Sequence, residues 1–109
     1  MKVIVMDMDG TLLNDDKKVT EYTKNVLRDM KKRGMRIGIA SGRPIIGVKR
    51  TVKNLGISDI IQFMIASNGA ELFDVGDKEK KDFYKLDVDT IFEIIDEYEQ
   101  FDLNPYVYQ

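Results

Sequence analysis

The 109-residue chain is 43% apolar and 33% charged with a net charge of −2, the composition of a globular domain with room for one modest core. It contains no cysteine and no histidine, which excludes within it a thiolate or phosphohistidine intermediate, a Ser-His-Asp triad and a Cys/His zinc site. Carboxylates, hydroxyls, lysines and arginines are left to do any chemistry, and Mg²⁺ is the natural metal for such oxygen donors. No apolar run is long enough to span a bilayer and the first residues lack a secretory signal, so a cytoplasmic setting with no membrane partner is expected.

In chain order, Lys2–Met6 is short and rich in β-branched side chains, and reads as a parallel strand buried on both faces. It delivers Asp7 and Asp9 to its carboxyl end, the side of an open α/β sheet on which ligands bind. Gly10 can adopt φ > 0 as the chain turns, presenting backbone N–H groups and the Thr11 hydroxyl to an anion. Taken alone, Asp-x-Asp-Gly is a polar turn; set between an apolar strand and Thr11-Leu12-Leu13, it reads as a site.

After a polar loop at 14–18, Thr20 is expected to cap a helix running to about Arg33, with Tyr22, Val26, Leu27 and Met30 as its apolar stripe and Gly34 at its end. A second strand at 35–40 puts Ser41 where Asp7 stood in the first. Pro44 then suits the first turn of a helix whose Ile45, Val48, Val52 and Leu55 form another stripe. Ser41-Gly42 is either a plain turn or, beside a helix N-terminus, a hydroxyl and amide pair for a phosphate. Ile60–Ala66 makes a third strand, and Asn68-Gly69 after it is either a turn or a substrate neighbour.

A hairpin of Glu71–Val75 and Lys81–Leu86 is expected to lead out of the core. A helix capped by Asp89 or Thr90 follows, with Ile91, Ile94, Ile95 and Tyr98 on one face, and then a strand at Asn104–Gln109. Right-handed crossovers put both connecting helices on one side of the sheet. The other side and the outer edge of strand one stay bare, so the chain reads as the first half of a doubly wound domain, open to self-association along that edge.

Residues 1–70 hold 13 basic and 7 acidic side chains, whereas 71–109 hold 4 and 12. The basic half shows no interleaved aromatic side chains, so solvated helix faces are expected and no nucleic-acid partner. The acidic helix is a solvated face or a docking surface.

The string MDMDGTLL resembles the first motif of the haloacid dehalogenase (HAD) superfamily, and DGTLLNDDKKVT resembles that of its Cof-type, subfamily IIB sugar-phosphatase branch. IASGRP is similar to the second motif, and Asn68-Gly69-Ala70 to a further site-lining segment. The likeness covers essentially the whole chain. It implies a HAD-like, Rossmann-type three-layer α/β core, of which residues 1–86 are the N-terminal part, and an α+β cap beginning at 87–109. It also implies a Mg²⁺-dependent phosphohydrolase that acts on a small phosphorylated metabolite, such as a sugar phosphate, through an aspartyl-phosphate.

On this likeness Asp7 is the nucleophile and Asp9 the general acid/base, the two together holding Mg²⁺, the second through its carbonyl. Gly10, Thr11, Ser41 and Gly42 would bind the substrate phosphate, with Arg43 and Asn68 as its neighbours. The family's motif-three lysine and motif-four acidic cluster have no match here, so these 109 residues alone are expected to be inactive. A non-catalytic phosphate-binding module is the alternative. A receiver-type signalling domain is disfavoured, because it carries its phosphorylated Asp after strand three, where this chain has Ser67-Asn68.

Overall fold

The structure, a computed structural model, describes residues 1–106. Strands β1 (Val3–Asp7), β2 (Arg36–Ala40), β3 (Phe63–Ala66), β4 (Glu71–Asp74) and β5 (Lys80–Asp82) form one sheet in that order. Helices α1 (Glu21–Lys32) and α2 (Ile45–Asn54) connect the first three strands, which run parallel, and α3 (Val88–Tyr98) follows the last. This is the expected α/β arrangement with one amendment. The β4–β5 hairpin does not lead away from the sheet but extends it, since β4 pairs antiparallel with β3, Met64 opposite Phe73 and Ile65 opposite Leu72.

Local chemistry sets the element ends. The Thr20 hydroxyl accepts the Thr23 amide at 3.2 Å, capping α1 as its sequence position predicts. Leu27 is buried and Val26 and Met30 half-buried, but Tyr22 is 79% exposed, at a groove it shares with Val26, Met30 and Met35. The third strand begins at Phe63, not Ile60. Ile60 and Ile61 donate their amides to the Ile57 carbonyl in a turn whose three isoleucines plug the core, and an apolar run does not by itself separate a buried turn from a strand.

Three further boundaries differ from expectation. The hairpin's second strand is Lys80–Asp82 and not 81–86, because the chain breaks away at Tyr84, whose φ is 55°. The cap of α3 is Asp87, neither Asp89 nor Thr90; its two carboxylate oxygens accept the Thr90 amide and hydroxyl, each at 2.9 Å. Of the strand expected at Asn104–Gln109, residues 104–106 have no strand structure and 107–109 lie outside the described residues.

Ile37, Ile39, Met64 and Ala66 from the sheet, Leu27 from α1, and Val48 and Val52 from α2 bury one another in a single cluster. Both connecting helices therefore cover the same face. On the opposite face Val3 and Val5 are 50% and 45% exposed, and the Phe63 ring lies across Gly38 beneath the Arg36 guanidinium, 5.4 Å from the ring centre. The smallest dimension, 19 Å, matches one sheet plus one helix layer, at roughly 10 Å per layer. β1 is an edge strand, with β2 as its one partner among the described residues. No helix among the described residues is long and apolar enough to cross a membrane.

Ile39 is fully buried at the centre of this cluster. Ile39→Ala should therefore lower stability by about 2–5 kcal/mol, read as a fall in the urea midpoint at unchanged slope.

Candidate active site

The site begins where β1 ends. Met8, Leu12 and Leu13 are buried, while Asp7, Asp9, Gly10 and Thr11 between and beside them are exposed. Burial of the three apolar side chains thus pins a loop whose polar residues face outward. The Leu13 amide donates to the Met8 carbonyl at 2.9 Å to close that loop, and Gly10 makes the bend at φ 74°, in the left-handed region glycine enters without penalty.

Parallel register brings the second and third loops alongside. Asp7 pairs with Ala40 and Ala40 with Ile65, so Ser41 and Ser67 leave the sheet at the same end as Asp7. The Ser41 amide donates to the Ile65 carbonyl at 2.9 Å. Its hydroxyl accepts the Arg43 amide at 3.1 Å, and its carbonyl accepts the Asn68 amide at 3.3 Å. Asn68 also lies close to Gly42: a Cβ there would lie 3.0 Å from the Asn68 amide oxygen, so a larger residue would have to displace the Asn68 side chain.

One direct contact joins the first two loops. The Arg43 guanidinium donates to the Asp9 carboxylate at 3.0 Å and to the Thr51 hydroxyl at 3.1 Å, and Thr51 in turn donates to the Gly47 carbonyl. A third group, Lys17, lies 3.4 Å from the other Asp9 oxygen. It is aimed there by a tight turn in which Asn14 bonds both Lys17 and Lys18, with Lys17 at φ 58°. Asp9, Arg43, Ser41, Gly42 and Asn68 are thus linked by contact, whereas Asp7, Gly10 and Thr11 are placed beside them by register and loop geometry.

Two participants were not anticipated. Lys17 sits in a polar loop where nothing but its structure marks it out. Glu71, which opens β4, reaches back 26 residues to accept the Ile45 amide at 2.8 Å, and also accepts the Ser67 hydroxyl at 3.0 Å. An acid after Asn-Gly-Ala was the one available sign. Glu71 therefore takes up an amide in the first turn of α2, leaving the Gly42 amide, the one the sequence points to for a phosphate, outside this contact. Partial burial pushes its carboxyl up, but the Ile45 amide, Lys80 and the Ser67 hydroxyl outweigh burial and hold it below the usual glutamate range.

Asp7 and Asp9 fit a hard cation in donor chemistry: Mg²⁺ takes one or two protein carboxylates and completes its shell with phosphate and water. Among the described residues, no group of three or more ligating side chains gathers.

Three parallel strands extended by an antiparallel hairpin, with aspartates at the end of the first strand and just beyond it and a hydroxyl-glycine pair after the second, make a Rossmann-type α/β core. Residues 4–109 match the haloacid dehalogenase-like hydrolase family, and the chain belongs to that family. It is 45% identical over 69 residues to the Bacillus subtilis (strain 168) protein named "Putative phosphatase YxeH", covering 63% of this chain and 26% of that protein. It is 32% identical over 74 residues to the 5-amino-6-(5-phospho-D-ribitylamino)uracil phosphatase YcsE of the same organism, covering 68% of this chain and 28% of that one. Among solved structures, a haloacid dehalogenase-like hydrolase from Bacteroides thetaiotaomicron superposes with a TM-score of 0.74 at 27% identity, over 91% of this chain and 37% of the other. The chain thus spans roughly a quarter of these curated relatives.

Ser67 and Asn68 are consecutive non-glycine residues at φ 48° and 54°. Asn68→Gly should keep the turn, whereas Asn68→Val should cost about 1–2 kcal/mol more through left-handed strain, read as the difference in unfolding midpoint between the two variants. Because Glu71 is held below its unfolded value, its contribution to stability is complete above the ordinary glutamate range and is lost as pH falls through the lowered folded value. Acid titration of Glu71→Gln should accordingly show a shallower loss of stability than wild type over that interval.

Proposed function

We propose that this chain carries the N-terminal part of the catalytic core, residues 1–86, and the start of a cap, 87–109, of a Mg²⁺-dependent phosphatase that acts on a small phosphorylated metabolite in the cytoplasm. The single observation carrying this reading is the Asp9–Arg43 pair, which joins the loop after β1 to the loop after β2 with Asp7 at the strand end beside them. YcsE, by its name, acts on a phosphorylated ribityl compound, which supports a sugar phosphate or a related polyol phosphate as the substrate class.

In this reading an Asp7 carboxylate oxygen attacks phosphorus, forming an O–P bond as the bond to the ester oxygen breaks. Asp9 gives the departing alkoxide its proton, then takes one from the water that attacks phosphorus and releases Asp7 and inorganic phosphate. Arg43 and Lys17 orient Asp9 between these tasks, the guanidinium braced from behind by Thr51. Ser41, Gly42 and the exposed Gly10–Thr11 segment hold the phosphoryl oxygens, and Asn68 borders the substrate. Mg²⁺, when bound, would be held by the Asp7 carboxylate and the Asp9 carbonyl and would supply neutralisation of phosphoryl charge. Positioning and charge neutralisation are what phosphoryl transfer chiefly requires.

In protein expressed from its complete natural reading frame, Asp7→Asn should remove nearly all turnover of a phosphate monoester while the substrate still binds, and inorganic phosphate should inhibit the wild type. Ser41→Ala should weaken that inhibition by about 1–3 kcal/mol, the value of a charge-assisted hydrogen bond. Turnover that survives Asp7→Asn would remove the nucleophile assignment, and phosphate binding with no wild-type turnover would favour a non-catalytic binding module.

The 109 residues alone should be inactive and should self-associate, through the β1 edge, which no other described strand covers, and the exposed Val3 and Val5 beside it. Sedimentation should show dimers or larger species, shifted toward monomer by Val5→Lys. A monomer that hydrolyses phosphate esters would contradict both expectations.

A further inference from the structure

The third loop of the site is strained, and the strain has a visible restraint. Two successive left-handed residues such as Ser67 and Asn68 persist only where their surroundings over-determine them. Two backbone bonds tie the turn to the second loop, Ser67 amide to Arg43 carbonyl at 2.8 Å and Asn68 amide to Ser41 carbonyl at 3.3 Å. A third tie passes through one side chain. The same Glu71 carboxylate oxygen accepts both the Ser67 hydroxyl and the Ile45 amide, so it grips the turn and the first residue of α2 together. The segment that these ties span, Ser41 to Ile45, includes Ser41 and Gly42, which the proposed function assigns to phosphate.

We propose that Glu71 is a positioning residue for the phosphate-binding loop: it locks the Ser67–Asn68 turn to the N-terminus of α2, and so fixes Ser41 and Asn68 relative to one another before substrate arrives. This rests on the phosphatase reading. A carboxylate suits the task because one oxygen can accept two hydrogen bonds while the other engages Lys80 Nζ at 3.0 Å, and the α2 N-terminus favours a negative charge. Lys80 also offsets a charge that would otherwise repel the substrate anion. The side chain is only 17% exposed, so water replaces these bonds poorly once they are removed. Glutamine keeps an oxygen that accepts from both Ile45 and Ser67 but loses the ion pair; alanine loses everything.

The test uses protein from the complete reading frame, with p-nitrophenyl phosphate as substrate and inorganic phosphate as inhibitor, beside amide hydrogen exchange. Glu71→Ala should raise KM and the phosphate inhibition constant by about tenfold or more, the scale of one lost hydrogen bond to a charged group, and should speed exchange at the Ile45, Ser67 and Asn68 amides. Glu71→Gln should restore most of the exchange protection and most of the phosphate affinity. An alanine variant that melts earlier yet keeps wild-type phosphate inhibition and wild-type exchange at those three amides would overturn the proposal, as would a glutamine variant no better than alanine. If Glu71→Ala does not fold, the glutamine comparison with wild type decides: exchange at Ser67 and Asn68 kept within about threefold supports the role, and full loss overturns it. Wild-type protein that neither turns over p-nitrophenyl phosphate nor binds inorganic phosphate would mark a failure of the phosphatase reading instead, and the exchange data would then decide whether Glu71 orders the loop.

Discussion

Asp7 pairs with Ala40 and Ala40 with Ile65, and the rest of the site depends on that alignment. It is set by burial on one face of the sheet, where Ile37, Ile39 and Met64 are buried and Met6 packs against them. A slip of one residue in any of these strands would turn its apolar side chains outward and its polar end residues into the helices. The hydrophobic core thus fixes where three loops leave the sheet, and Met8, Leu12 and Leu13 carry the same control one loop further.

Beyond the ends of the strands, polar contacts take over from burial. The Asp9–Arg43 and Asp9–Lys17 pairs are roughly half exposed or more, and exposed ion pairs contribute about 0–1 kcal/mol to stability. Their value lies in orientation: Arg43 is fixed at one end by Thr51 and at the other by Asp9, so the loops after β1 and β2 are held in one mutual geometry. Glu71 does for the second and third loops what Arg43 does for the first and second. A continuous polar chain therefore runs from Lys17 through Asp9, Arg43 and the Ser41 loop to Asn68 and Glu71.

Much of this was legible in the residues. Periodicity and end signals located α1 and α2, and the strand-end placement of Asp7 and Ser41 follows from two apolar runs, each followed by a small or acidic polar group. The bare face was legible too, because crossover handedness fixes which side the helices cover. Boundaries failed where a turn was as apolar as a strand, at Ile60 and Ile61, or where a carboxylate two residues earlier made the better cap, at Asp87. The roles of Lys17 and Glu71 were not legible, since each depends on a contact formed by the fold: Lys17 on a tight turn that aims it, Glu71 on a partner 26 residues away.

The central claim is that Asp7 forms a covalent bond to phosphorus. Protein from the complete reading frame, mixed with a phosphate monoester and Mg²⁺ and quenched in acid within one turnover, can be digested and its peptides weighed and sequenced by mass spectrometry. The account predicts a phosphoryl group on the peptide containing Asp7, at Asp7 and labile to hydroxylamine as an acyl phosphate is. Full turnover with no phosphorylated peptide at any quench time, or with the label on a different side chain, would contradict it.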